Sequence, residues 1–268
     1  MISVFYDHVK EAAIQTNKSI DEIFDLMKHA GYEAIDIRST ELVGKEEEMK
    51  TLLEKHGLRI SCIYEWFDFG TNGKPSGGYE LIDLANRFQA TKVLIIPGFI
   101  QIKWKFVRRM TMMNMAETLK KLVAYGKEKQ VQITLEDFDD FTAPYSSYKE
   151  LQWFLQQVPG LKITFDTGNF LYQEEDVQEA FSVLKNDIVH VHLKDRSLIE
   201  VDGEQYKSTL KGRKMYSSAV GSGVIPMTSI LESLKKKGYQ GDYTVEHFGS
   251  LNQLESMLKS VEYLKSNL

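Results

Sequence analysis

Cysteine is almost missing from this chain. Cys62 stands alone, so no intramolecular disulfide is available and a reducing compartment is the natural setting. Proline is scarce, with five residues in 268, and none of them gathers into a linker. No apolar run could span a bilayer, since the longest, Val93 to Ile100, is broken by Pro97 and Gly98. Neither sign of charge dominates. The 33 Lys and Arg face 38 Asp and Glu, and the resulting net of −5 offers phosphate backbones no global attraction. The opening stretch, Met1 to Asp7, reads as a strand and lacks the basic and apolar regions of a secretory leader. No Ser/His/Asp or Cys/His nucleophile set emerges, because Cys62 falls inside an apolar strand. Gly221-Ser222-Gly223 does not follow a strand as a nucleotide fingerprint would; with Pro226 it reads as a turn into a helix with proline near its first position. The expectation from these absences is a soluble cytoplasmic protein with no nucleic-acid or membrane partner.

What the chain does hold is a regular alternation of strand-like and helix-like segments. The strand candidates are Ser3 to Tyr6, Ala34 to Arg38, Arg59 to Tyr64, Lys92 to Pro97, Val131 to Glu136, Lys162 to Asp166, Ile188 to Lys194 and Asp242 to Glu246. Between them lie helical periodicities such as Ile20, Ile23, Phe24 and Met27, or Leu151, Phe154 and Leu155. Ser19 and Glu22 form a capping-box pattern, and Gly31 is its stop signal. Eight βα units over residues 1–268, with 43% hydrophobic and 26% charged composition, predict one α/β domain, a closed (β/α)8 TIM barrel. A doubly wound open sheet is the rival architecture. Two stretches break the regularity, Glu65 to Gly78 with Trp66, Phe67 and Phe69, and Asp195 to Gly223 with Arg196, Lys207, Lys211, Arg213 and Lys214. In a barrel both would emerge at the catalytic end as lids or substrate walls. The aromatics could instead pack on a second copy of the chain, leaving a homo-oligomer open, and the basic residues could be a solvated surface.

Four of the strand candidates end on metal-seeking side chains: Glu136, Asp166, His192 and Glu246. Residues two apart in a strand share a face, so Gln132 and Thr134 lie with Glu136, Thr164 with Asp166, His190 and Lys194 with His192, and Thr244 with Glu246. The opposite faces are apolar. Three carboxylates converging without a cation would repel one another, and a divalent ion removes the conflict. Three oxygens and one imidazole suit Mn²⁺, Mg²⁺ or Co²⁺, with Zn²⁺ also accommodated. His190 lies one layer deeper and is expected to hydrogen-bond there. His247 is expected to point away from the site, and His8, His29 and His56 carry no argument.

Taken together, Thr134-Leu135-Glu136, Phe165-Asp166-Thr167-Gly168-Asn169, Val191-His192-Leu193-Lys194-Asp195, Gly221-Ser222-Gly223 and Gly238-Tyr239-Gln240-Gly241 before Glu246 resemble the xylose isomerase-like TIM barrels. The branch they are most similar to is the sugar phosphate isomerases and epimerases. The resemblance implies one divalent ion held by Glu136, Asp166, His192 and Glu246, with Glu136 and Glu246 also exchanging protons with substrate carbon. It further implies cationic substrate contacts at Lys194 and Arg196; Asn169, three residues after Asp166, and Trp66, on the stretch after the third strand, are expected at the substrate as well. Lys194 could equally form a salt bridge with Asp195 or a neighbouring acid. Asn169 departs from the histidine that several ketose 3-epimerases carry there.

The expected function is therefore a metal-dependent isomerase or epimerase of a small carbohydrate or polyol derivative, acting by proton transfer beside a carbonyl. A lyase of the same fold, such as a 3-dehydroshikimate dehydratase-like enzyme, would need the same metal and base. A type IV apurinic endonuclease shares the fold but uses extra histidines after the early strands, where this chain has Tyr64 and Ile96.

Overall fold

Apolar residues at every second position give each strand one face that must be covered, and the helices between the strands cover it. The structure, a computed structural model, describes residues 1–101 and 104–268. Its order is β1 (Ile2–Phe5), α1 (Tyr6–Thr16), α2 (Ile20–Ala30), β2 (Ala34–Arg38), α3 (Glu46–His56), β3 (Arg59–Trp66), α4 (Ser76–Arg87), β4 (Lys92–Ile96), α5 (Lys105–Lys129), β5 (Gln132–Glu136), α6 (Tyr148–Gln157), β6 (Lys162–Asp166), α7 (Val177–Leu184) and β7 (Ile188–Ser197). Then follow β8 (Lys207–Ser208), β9 (Lys214–Ser218), α8 (Met227–Lys237), β10 (Tyr243–Glu246) and α9 (Gln253–Asn267).

Strands β1 to β7 run parallel in sequence order, and β10 closes the ring by pairing with both β7 and β1. That closure decides between the two architectures: the chain is an α/β TIM barrel. Ile35, Ile37, Leu135, Phe165, Val191, Leu193 and Val245 are wholly buried on the helix side, each worth roughly 1.5–3 kcal/mol of apolar burial. The Ser19–Glu22 capping box forms, and Gly31 ends α2 in the left-handed region at φ 105°. Pro226 caps α8 one residue before its first helical position. Tyr6, read as strand, instead opens α1. Among the described residues no helix is long and apolar enough to cross a membrane.

The barrel interior is polar and layered. At the end away from the site, buried Asp242 pairs with Arg59 and with Lys92 at 3.1 Å. Above this lie Ser3, Asp36, Ser61, Thr134, Thr164, His190 and Thr244, all buried and joined by hydrogen bonds such as Thr134 to Thr164 at 2.7 Å. The uppermost layer carries the strand-end residues. The stretch after β7 is more ordered than a loop reading implies. β7 runs on to Ser197 and pairs antiparallel with β9, which in turn pairs with β8.

Candidate active site

β5, β6 and β10 end at the same rim, where His192 of β7 pairs in register with Asp166, so Glu136, Asp166, His192 and Glu246 come together: one ligand atom from each lies within 4.8 Å of the others, and all four residues are buried. His192 is the hinge of the arrangement. Its Nδ1 meets Glu136 Oε1 and lies 3.6 Å from Glu246 Oε2, while Nε2 donates to Asp36 Oδ2 at 3.0 Å. Asp166 is aimed by its own turn, where Oδ1 accepts from the backbone N–H groups of Gly168 at 2.7 Å and Asn169 at 2.8 Å. Gly168 is needed there, since a Cβ would sit 2.6 Å from the Lys194 carbonyl oxygen.

Lys194 is drawn into the cluster. Its ammonium contacts Glu246, lies 3.0 Å from Asp166 Oδ2 and donates to Asn169 Oδ1 at 2.8 Å. Asp195, the other candidate partner, instead accepts from the backbone N–H groups of Arg196, Gly221, Gly223 and Ile225 and so shapes the turn before α8. Arg196 donates to Asp139 Oδ2 at 2.9 Å, and Lys207 to Asp139 Oδ1 at 2.6 Å. Trp66 sits at the rim, 38% exposed, with the Arg38 guanidinium 4.5 Å from its ring centroid.

Burial and crowding set the charges. Burial pushes Glu246 up to about 8, against the pull of Lys194 and with help from the Asp166 and Glu136 carboxylates. Glu136 is also raised by burial, which the neighbouring His192 only partly offsets. Burial disfavours a charged His192, yet Glu136 and Asp36 on its two sides hold it protonated well above the usual imidazole range. Asp36 shows the reverse outcome: burial opposes its charge, but His190 and His192 keep it well below the usual carboxylate range.

The residues fit a divalent cation. The donor set is hard, Asp166 Oδ2 is buried and accepts no hydrogen bond among the described residues despite the nearby ammonium, and excess carboxylate faces one imidazole. A second group, Asp36, His190 and His192, is also close enough to hold an ion. There, however, Asp36 Oδ2 already accepts from both imidazoles, His190 at 2.6 Å and His192 at 3.0 Å. Its Oδ1 accepts from Ser3, Ser61 and Thr244, so this carboxylate is saturated without a cation and fixes which nitrogen of His192 faces the cluster.

Above the cluster opens a cavity of about 450 Å³. Glu136, Asn169, Lys194 and Glu246 form its floor, while Phe5, Tyr64, Trp66, Phe138 and Phe248 supply an aromatic wall. Asp139, Arg196 and Lys207 stand on the polar side. Tyr64 and Ile96 line the space as well, where the endonuclease alternative required histidines.

Three residues beside the site, Asp36, His8 and Asp139, escaped the sequence reading. Asp36 shares a strand face with Ala34 and Arg38, so alternation marked it as inward, but it ends no strand. His8 is fully buried and its Nε2 accepts from the backbone N–H of His247 at 3.0 Å. His247 does not continue a regular strand, since β10 stops at Glu246; it is buried beside His8, with ring centroids 4.8 Å apart, and meets Gln253 at 2.6 Å. Asp139 lies in the loop after β5, where no periodicity applies.

A closed parallel barrel with acids and an imidazole at one mouth defines a class, and the comparisons place the chain within it. The chain belongs to the xylose isomerase-like TIM barrel family, whose model matches residues 24–267. It is 31% identical over 279 residues to the inosose dehydratase of Lacticaseibacillus casei, covering 93% of this chain and 90% of that protein. A second inosose dehydratase, from Clostridium perfringens, is 29% identical over 158 residues, 57% of this chain and 53% of that protein, so here the chain spans about half the relative's length. Among solved structures, the D-allulose 3-epimerase of Methylomonas sp. superposes with a TM-score of 0.76 at 17% identity, covering 100% and 97% of the two chains. The probable 3-DHS dehydratase AsbF of Bacillus anthracis gives 0.74 at 16% identity, with 98% of each chain covered. At these identities the structural likeness speaks for the fold alone.

Proposed function

We propose that this chain is a metal-dependent isomerase or epimerase that moves a proton at a carbon next to the carbonyl of a small sugar or polyol derivative. The observation that carries the reading is the meeting of Glu136 and Glu246, from different strands, on the Nδ1 side of His192 at the floor of the cavity. Glu136, Asp166, His192 and Glu246 would hold the ion, with Mn²⁺, Mg²⁺ or Co²⁺ suited to the donor set and Zn²⁺ also accommodated. When bound, such an ion polarises a carbonyl and its neighbouring hydroxyl, making the adjoining C–H more acidic.

The side chains then divide the proton work. One of Glu136 and Glu246 takes the proton as a carboxylate, and the other returns one from its acid form. Lys194, fixed on Asn169, stands where it can stabilise negative charge developing on a substrate oxygen. The aromatic wall covers the C–H faces of the substrate and limits water.

A second reading, a lyase that removes the same proton and expels a β-hydroxyl, is supported by the 31% identity to an inosose dehydratase along nearly the whole chain. The two separate in one experiment. The Mn²⁺-loaded protein is incubated in D₂O with a panel of ketoses, aldoses and inososes and followed by NMR. The isomerase reading expects deuterium beside the carbonyl or a rearranged product of unchanged composition. A dehydrated enone as the sole product replaces it with the lyase. Neither exchange nor product with any member of the panel removes both.

A further inference from the structure

Each cation of the cavity is already held by a carboxylate of the protein. Among the described residues three cations line the cavity, Lys194, Arg196 and Lys207, and so do three carboxylates, Glu136, Asp139 and Glu246. Lys194 is held by Glu246 and Asp166. The other two share one partner: Asp139 accepts from Arg196 Nη2 at 2.9 Å through one oxygen and from Lys207 Nζ at 2.6 Å through the other. Asp139 and Arg196 are both buried, while the Lys207 side chain is 41% exposed. Burial works against the Asp139 charge, yet Lys194, Arg196 and Lys207 hold its carboxyl down to about 2, so it stays ionised at any working pH.

From this pairing we infer that the substrate is an uncharged polyhydroxylated molecule, without phosphate or carboxylate, and that Asp139 is the residue that sets this selectivity. The inference rests on reading the cavity as the substrate site. An anionic group would have to displace Asp139 from both cations or lie beside it, and like charges brought together in a desolvated site are strongly disfavoured. A hydroxyl meets no such conflict, because it both donates and accepts. Asp139 offers acceptors, and Arg196 Nε is a buried donor that no protein group uses among the described residues. Hydroxyl-bearing ligands therefore complete the wall without breaking an ion pair.

The test is calorimetric titration of the Mg²⁺-loaded chain at constant ionic strength with D-fructose, D-fructose 6-phosphate and inorganic phosphate, repeated on Asp139→Asn. In the wild type, phosphate gives no saturable binding, and the phosphate ester binds no more tightly than the neutral sugar. In Asp139→Asn, which frees both cations at nearly constant volume, phosphate and the ester gain at least about tenfold in affinity. Adding Arg196→Gln to that variant abolishes the gain. Should neither sugar bind, the reading of the site as one for sugars is weakened, while inorganic phosphate still decides the charge question. Should Asp139→Asn fail to fold, Asp139→Ser carries the same comparison and the wild-type titrations stand alone. Tight phosphate binding by the wild type, or an unchanged preference in a folded Asp139 variant, overturns the inference.

Discussion

Lys194→Met separates the protein's own charge from a bound cation. Methionine keeps most of the lysine's volume but removes an ammonium that contacts Glu246, lies 3.0 Å from Asp166 Oδ2 and donates to Asn169 at 2.8 Å. Removing one partner of a buried ion pair typically costs about 3–5 kcal/mol, because the remaining charge is left uncompensated. Here the carboxylates can take up protons and relieve part of that, so the lower end, about 3 kcal/mol, is the expected loss for the metal-free protein near neutral pH. At about 2–4 °C per kcal/mol, the unfolding midpoint should fall by roughly 6–12 °C. The loss should shrink as pH is lowered and the carboxylates are neutralised. A divalent ion among the same carboxylates replaces the missing charge, so the metal-bound variant should recover most of its stability. By the thermodynamic cycle, metal affinity should then rise about a hundredfold, since each factor of ten is about 1.4 kcal/mol. Thermal unfolding with chelator and with saturating Mn²⁺, together with calorimetric titration of the ion, measures every leg. An unchanged metal-free midpoint, or weaker metal binding by the variant, would refute the assignment of both lysine and ion to one cluster.

Other outcomes follow from the same geometry. Metal binding should release protons near pH 7, because Glu246 holds its proton up to about 8 and His192 is protonated well above its usual range, and both must lose them to become ligands. Affinity should therefore fall as pH drops; titrations in buffers of different ionisation enthalpy would read the release, and a pH-independent affinity would contradict it. Asp36→Asn should lower metal affinity by about 10–100-fold while circular dichroism stays native, since it disturbs the carboxylate that orients His192. Glu246→Gln should nearly abolish turnover of any confirmed substrate with the fold intact, and activity near that of the wild type would move the proton chemistry elsewhere. Asp242→Asn, at the other end of the barrel, should destabilise the chain by about 3 kcal/mol because Lys92 and Arg59 lose their partner, yet leave metal affinity unaltered.

The strand ends could be read because a parallel barrel turns a local rule into a global one. Each strand alternates inward and outward, every strand runs the same way, and so the inward residue that closes a strand must reach the common mouth. Glu136, Asp166, His192 and Glu246 needed nothing more than this to be grouped, and the structure brings the four together. Asp36 obeys the same alternation, but its meaning depends on His190 and His192, 154 and 156 residues away. Which layer each strand contributes is set by the stagger of the ring, and pairing registers such as Thr244 opposite His192 are fixed only by closure. His247, expected to point away from the site, belongs neither to the four-residue cluster nor to the cavity lining; β10 hands over at Glu246 to the segment packed on His8 and Gln253. Asp139 lies outside any periodic element and meets Arg196 across 57 residues, with no pattern in either segment to join them. The division is physical. The four strand-end residues sit on the ladder, where backbone hydrogen bonds dictate direction, whereas Asp139 and Lys207 sit on a loop and on the β8–β9 hairpin, where only the assembled fold decides which side chains face one another.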